Sequence, residues 1–261
     1  MKKKSLFTIF MILTAVSMIL AACGTGGDST TGEGGKVKLI GGTEASFAPF
    51  EYLDDKGNIV GFDVEIVQAI SEEMGFDYEI QNVGWDPIFS KIQTGEIDFG
   101  AAGITITEKR KETYDFTEPY YEATQLIIVR DDNTDIKSVE DLKDKKVAVQ
   151  NASTSHVAAQ KILGETSQNI LAYENQPSAY QQVINGNVDA AIGDNTVVME
   201  YLKSNPDAPI KTIEDPSFEK EYYGLMVKKG NKEALELLNE GLKKLKESGK
   251  LAEITGQEID F

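Results

Sequence analysis

The sequence predicts an α/β fold, and three observations carry that prediction. Strand-like and helix-like patterns alternate from Val37 to about Ile127, the rhythm of consecutive βαβ units. A second alternating set begins at Lys146. The stretch Gly95–Gly103, Gly-Glu-Ile-Asp-Phe-Gly-Ala-Ala-Gly, is echoed by Gly186–Asp194, Gly-Asn-Val-Asp-Ala-Ala-Ile-Gly-Asp. Each copy follows an amphipathic helical pattern and reads as a glycine turn entering a buried strand. If two halves share a topology, Gly103 and Asp194 sit at equivalent strand ends, where open α/β sheets bind ligands. A pattern this short also recurs by chance between two αβ units.

The elements follow in order. Val37–Ile40 reads as a strand. Gly61 opens a helix that places Ile66, Val67 and Ile70 on one face and ends near Gly75. Tyr78–Ile80 is the next strand, and Trp85–Gln93 a helix with Ile88, Phe89 and Ile92 at core spacing. The apolar run Ile97–Ile104 is short enough for a buried strand. Thr124–Val129 is β-rich and gives way to the polar stretch Arg130–Asp135. The second set comprises a strand at Lys146–Gln150, a loop at Asn151–Ser155, helices at Val157–Leu163 and around Tyr180–Ile184, and a strand at Val188–Ile192. Tyr222–Val227 is again β-rich, and Leu235, Leu237, Leu238, Leu242, Leu245 and Leu251 close the chain in an amphipathic helical pattern.

The N-terminus reads as a targeting segment. Lys2, Lys3 and Lys4 precede the uncharged run Leu6–Leu20, and Leu20-Ala21-Ala22 leads to Cys23, the only cysteine of the chain. The pattern resembles a bacterial lipoprotein signal, with residues 1–22 removed and a lipid on Cys23. The alternative is a membrane anchor, since roughly 18 uncharged residues approach bilayer length. Either way the folded part is expected outside the cytoplasmic membrane. Residues 23–36 then form a tether, because Gly24–Gly35 contains no apolar side chain.

Composition removes several function classes. The formal charge of −17 argues against nucleic acid and against an electrostatic grip on anionic lipid, and its ordinary meaning is solubility. A single cysteine allows no disulfide within the chain, and a single histidine, His156, excludes a histidine cluster as a metal site. No cofactor is expected.

Local chemistry concentrates in Gly103–Arg110, Gly-Ile-Thr-Ile-Thr-Glu-Lys-Arg. Only two of the 26 basic residues are arginine, Arg110 and Arg130, so a guanidinium here departs from the lysine background. Arginine offers a planar fork that grips a carboxylate through two parallel hydrogen bonds, which lysine cannot do. Thr107 reads as a helix N-cap with Glu108 in the first turn. A strand end, two hydroxyls, a helix start and an arginine thus meet at one place suited to a small anion. The alternative reading is that Thr107 only caps the helix and Arg110 is a solvated surface charge.

With these residues in place, the chain resembles the extracellular solute-binding proteins of ABC transporters for polar amino acids. The resemblance runs through Phe47-Ala-Pro-Phe-Glu-Tyr52, Gly61-Phe-Asp-Val-Glu-Ile66, Trp85-Asp-Pro-Ile-Phe89 and Gly103–Arg110. Tyr114-Asp-Phe-Thr-Glu-Pro-Tyr120 and Asp189–Asp194 extend it over the whole chain after the tether, and within the family the chain looks most like binders of arginine and related basic amino acids. It implies a two-lobed periplasmic-binding-protein-like fold of type II. Lobe one would comprise residues 37–128 and 224–261, lobe two 129–223, with hinges at Thr124–Val129 and Tyr222–Val227. It further implies a monomer that is not an enzyme, delivers its ligand to membrane permease subunits and binds no nucleic acid.

The resemblance also assigns site residues. Arg110 would hold the ligand α-carboxylate with Thr105 beside it, and Ala102 and Gly103 would line the same edge. Asp194 would accept from the α-ammonium; the alternative for Asp194 is a turn or N-cap residue before Asn195. The loop carrying Ser153 and Ser155 would supply the second lobe's carboxylate-binding turn, although Ala152 stands where the family more often has glycine. Phe47 and Trp85 would sandwich a ligand guanidinium, and Glu44 would meet a distal cation. Glutamine binders also place an acid at that position, so Glu44 leaves glutamine or another polar amino acid open.

Overall fold

The computed structural model describes residues 36–259. The expected leader, Cys23 and nearly all of the tether lie outside the described residues.

Two five-stranded sheets organise the chain. In the first, β1 (Lys38–Thr43) pairs in parallel with β5 (Asp77–Asn82) and β6 (Phe99–Gly100). The late strand β15 (Met226–Lys228) inserts antiparallel between β6 and β7 (Tyr114–Phe116), giving the order β5-β1-β6-β15-β7. The second sheet is ordered β11-β10-β12-β9-β13, from Ile170–Tyr173, Val147–Gln150, Ala190–Asp194, Gln125–Arg130 and Ile210–Ile213 respectively. Its β10 and β12 are buried along their whole length, as expected of strands covered on both faces. Between the two sheets runs an antiparallel pair, β8 (Tyr121–Ala123) with β14 (Glu221–Tyr223). The chain therefore crosses between the sheets twice, side by side. A small meander, β2 (Ser46–Phe47), β3 (Glu51–Leu53) and β4 (Ile59–Val60), follows β1.

Local rules account for the helices. Helix α1 (Phe62–Met74) buries Ile66, Val67 and Ile70 and stops at Gly75, whose φ of 74° is the left-handed cap conformation that glycine adopts without strain. Helix α2 (Trp85–Thr94) buries Trp85, Ile88 and Ile92. A single turn, α3 (Glu108–Lys111), is capped by Thr107, whose Oγ1 accepts from the Arg110 amide. In the second unit α4 (Thr154–Leu163), α5 (Gln176–Ile184) and α6 (Asn195–Ser204) flank the sheet. The C-terminal α7 (Lys232–Glu247) buries Ala234, Leu238, Gly241, Leu242 and Leu245 at three- and four-residue spacing, and α8 (Lys250–Thr255) follows. A Cβ on Gly241 would lie 2.4 Å from Ile70 Cγ2, so this glycine lets α7 approach α1 closely.

The internal echo is structural. Asp98 Oδ2 accepts from Ile40 N at 2.8 Å while Asp98 N donates to Ile40 O at 2.7 Å. Asp189 repeats both bonds with Lys146, at 2.7 and 2.9 Å. The shared Gly-x-[Ile/Val]-Asp turn thus clamps the neighbouring parallel strand in each unit, and Gly103 and Asp194 both emerge at the cleft.

Three expectations change. The strand predicted over Ile97–Ile104 is confined to Phe99–Gly100, because the segment beyond leaves the sheet to line the cleft and meets the crossing pair at Thr105, which bridges Tyr223 of β14. The crossing strands are Tyr121–Ala123 and Glu221–Tyr223: the hinge run read at Tyr222–Val227 overlaps the second at Tyr222 and Tyr223, whereas Thr124–Val129 begins just after the first. The rest of each run leads into β9 and β15, which lie inside the two sheets. The helix read from Val157 begins at Thr154, since Ser153 caps it by accepting from His156 N at 3.1 Å.

Candidate functional site

A narrow, nearly filled cavity lies in the cleft between the two sheets. Glu44, Phe47, Trp85, Ala102, Gly103, Thr105 and Arg110 line it from the first unit, and Ser153 and Asp194 from the second. Nine of the ten predicted residues therefore share one cavity. The tenth, Ser155, is fully buried behind it, donating from Oγ to Gln125 Oε1 at 2.8 Å. Gln150, Thr154 and Gln176 complete the lining; Thr154 falls within the expected carboxylate-binding turn at Ala152–Ser155, whereas Gln150 and Gln176 carry no signal in the sequence.

Arg110 is not a solvated charge. Its Nη1 donates to the Thr105 carbonyl at 2.8 Å, and Nη2 reaches the Ala152 carbonyl across the cleft at 3.4 Å. Its Cζ stands 5.3 Å from the ring centroids of both Trp85 and Phe89, within cation–π range. Burial lowers its pKa to about 10, partly opposed by Glu221 and Asp194, so the group stays cationic at neutral pH. One use of Trp85 is thus to hold the protein's own guanidinium. Phe47 packs instead on Phe50, at 5.8 Å between centroids.

Asp194 ends β12 and occupies the N-cap position of α6 without making a side-chain cap bond. Its carboxylate turns into the cleft. Oδ1 accepts from Gln176 Nε2 at 2.6 Å and Gln125 Nε2 at 3.2 Å, and Oδ2 accepts from the Tyr223 hydroxyl. Gln176 is itself fixed, since its Oε1 accepts from the Tyr180 hydroxyl and from Asp194 N. Burial raises the Asp194 pKa, while Tyr223, the two glutamines and Arg110 favour the ionised form. A carboxylate has about four acceptor positions, so one remains for a donor in the cleft.

Glu44 faces the opposite end. Its Oε1 accepts from Ser46 Oγ at 2.9 Å and its Oε2 from Gln150 Nε2 at 2.7 Å. Burial outweighs these bonds and brings its pKa up to about 7. At the rim Asn151 Nδ2 donates to Asp86 Oδ2 at 2.9 Å, so the two units meet in a closed arrangement.

Two backbone positions shape the cleft. Gly103 has φ 53°, and a Cβ there would lie 2.5 Å from Phe47 Cε1. Its amide donates to Asp63 Oδ2 at 2.9 Å, which also accepts from the Tyr120 hydroxyl at 2.8 Å. Asp63 is wholly buried and its pKa rises to about 7. Neighbouring Glu51, also buried, has no hydrogen-bond partner on either oxygen, and burial together with Asp63 pushes its pKa well up. Across the cleft Ala152 adopts φ 53°, a left-handed conformation that costs a Cβ-bearing residue roughly 1–2 kcal/mol. The substitution noted in the sequence is thus a strained one.

Comparison with known proteins bears on this arrangement. Residues 39–258 match the model of the bacterial extracellular solute-binding proteins, family 3. A probable histidine-binding protein of Neisseria gonorrhoeae is 35% identical over 246 residues, covering 93% of this chain and 91% of that protein. The arginine-, lysine-, histidine-binding protein ArtJ of Geobacillus stearothermophilus superposes with a TM-score of 0.81 at 44% identity, over 85% of this chain and 97% of that one. An ancestral arginine-binding protein solved with glutamine gives 0.78 at 40% identity, over 84% and 98%. With two sheets joined by a crossing pair, a closed cleft between them and a family match over nearly all of the described residues, the chain belongs to the bacterial extracellular solute-binding proteins, family 3.

Proposed function

We propose that this protein is an extracytoplasmic receptor that captures a basic amino acid, arginine foremost, with lysine or histidine as lesser ligands, and delivers it to an ABC permease. The observation that carries the reading is the charge count of the cleft. Two carboxylates, Glu44 and Asp194, line the cleft with one cation, Arg110, and a third, Glu221, acts on Arg110 from behind the lining. A zwitterion with a neutral side chain leaves that excess negative charge as it stands, whereas a cationic side chain offsets part of it.

In this reading Arg110 and Thr105 take the α-carboxylate, with Ala102, Gly103 and the loop at Ser153 and Ser155 shaping its surroundings. Asp194 takes the α-ammonium through its remaining acceptor position. The side chain extends past Phe47 and Trp85 toward Glu44 and Gln150. The protein acts by binding and lobe movement and not as an enzyme. The lobes are residues 37–128 with 224–261 and residues 129–223, except that 125–128 go to the second because β9 starts at Gln125, and Cys23 carries a lipid anchor.

A glutamine ligand is the second reading, favoured by the Gln150–Glu44 pair, which offers both amide and carboxyl partners to a side-chain amide. A thermal-shift screen against all twenty amino acids separates the two, because a ligand that binds the native state raises its apparent stability. Arginine is expected to give the largest shift. A larger shift with glutamine overturns the basic-ligand reading, and no shift with any amino acid overturns both.

A further inference from the structure

Glu221 lies on crossing strand β14 and is not among the residues that line the cleft. Its Oε2 accepts from two hydroxyls at once, Thr105 Oγ1 at 2.8 Å from the first unit and Thr154 Oγ1 at 2.7 Å from the second. Its Oε1 accepts from Gln125 Nε2 at 3.1 Å. Thr105 and Thr154 both line the cavity, yet each hydroxyl has a single proton to donate and gives it to the floor. Glu221 is also the first of the acids that favour the charged form of Arg110. A carboxylate of the protein therefore already has the surroundings that a ligand carboxylate would meet: a hydroxyl from each side and a guanidinium nearby.

We propose that Glu221 is an internal stand-in for the ligand carboxylate, tying the two units together through Thr105 and Thr154 without ligand and competing with the ligand for the same two hydroxyl protons. The second half rests on the reading that a ligand carboxylate meets Arg110 and Thr105; the first half does not. Glu221 acts as a positioning residue that sets affinity and closure. When a carboxylate-bearing ligand enters, the threonine hydroxyls rotate from Glu221 to the ligand. A cation lacking a carboxylate leaves them where they are.

The test uses Glu221→Gln, nearly isosteric, and Glu221→Asp, which keeps the charge but is one methylene too short to hold both hydroxyls. Spin labels on the two lobes of the full-length protein report ligand-free closure. Wild type is expected to hold a larger short-distance population than either variant, and identical distributions overturn the tie. Calorimetry then compares L-arginine with agmatine, its decarboxylated analogue. In both variants the preference for arginine over agmatine is expected to rise about tenfold, because only arginine gains from the released hydroxyls. A general loosening of the hinge weakens both ligands alike and leaves the ratio fixed, which overturns the competition. An Asp variant that matches wild type while Gln does not assigns the effect to charge alone and overturns it too. If wild type binds neither probe, the arginine reading fails, and the ligand-free distances still decide the tie.

Discussion

Gln150 donates from Nε2 to Glu44 Oε2 at 2.7 Å, so a single side-chain hydrogen bond joins the end of β10 to the segment after β1 across the cleft. With its pKa near 7, Glu44 is close to half-protonated at neutral pH in this arrangement. A cation delivered beside it favours the ionised form, so cation binding releases a proton. Affinity for arginine is expected to strengthen roughly tenfold between pH 5.5 and pH 8. Glu44→Gln is expected to flatten that profile, as read by calorimetry in two buffers of different ionisation enthalpy. A wild-type profile without slope would remove Glu44 from the ligand's surroundings.

The same burial predicts an inverse dependence of ligand-free stability on pH. Glu44 and Asp63 have native pKa values near 7, against about 4 in the unfolded chain. The native state then binds more protons than the unfolded state between those limits, so stability falls as pH rises from about 4.5 to 7. The ligand-free melting temperature is expected to be higher at pH 5.5 than at pH 7.5. Asp63→Asn, which keeps an acceptor for Gly103 and Tyr120, is expected to reduce the difference.

Arg110→Lys tests the fork geometry. Lysine keeps the charge but loses the parallel donors and the planar packing on Trp85 and Phe89. Binding of every amino acid is expected to weaken by two orders of magnitude or so, the equivalent of about 3 kcal/mol. Arg110→Ala is expected to abolish it. Micromolar binding by the alanine variant would contradict the assignment.

Gly103 and Ala152 share φ 53° on opposite walls, and their substitutions are expected to act in opposite directions. Gly103→Ala places a Cβ 2.5 Å from the Phe47 ring and is expected to cost about 1–3 kcal/mol by urea denaturation. Ala152→Gly relieves left-handed strain but adds freedom to the unfolded chain, so stability is expected to hold or rise by up to about 1 kcal/mol. A destabilised Ala152→Gly variant would show that the strain is not borne there.

The parts of this protein legible in the sequence were those whose cause is local. The helix from Phe62 has an apolar stripe and a glycine stop, both within 13 residues, and the Thr107 cap is three residues from its partner. Asp194 was reached through the repeated turn, which is also a local pattern. Residues 195–221 carried no assigned element, and α6 and β13 fell there; Asn195, Thr196 and the proline and acid-rich stretch up to Glu219 give no clear period. Gln125, Gln150, Gln176 and Glu221 were missed for a different reason. A glutamine or glutamate carries no signature in its neighbours, and apart from Tyr180, four residues from Gln176, the side-chain partners of these four lie 18 to 116 residues away in sequence. Only closure of the chain on itself gives them their roles.

The insertion of β15 between β6 and β7 has a consequence for how the chain matures. Until residues 226–228 have emerged, β6 (Phe99–Gly100) is paired on its β1 side alone and β7 (Tyr114–Phe116) has no strand to join it to the sheet, whereas the second sheet is complete at Ile213. In vectorial emergence from the N-terminus, the later-starting half therefore finishes first. The earlier half waits for a strand about 110 residues downstream, a delay of long sequence separation that makes its assembly the slow step.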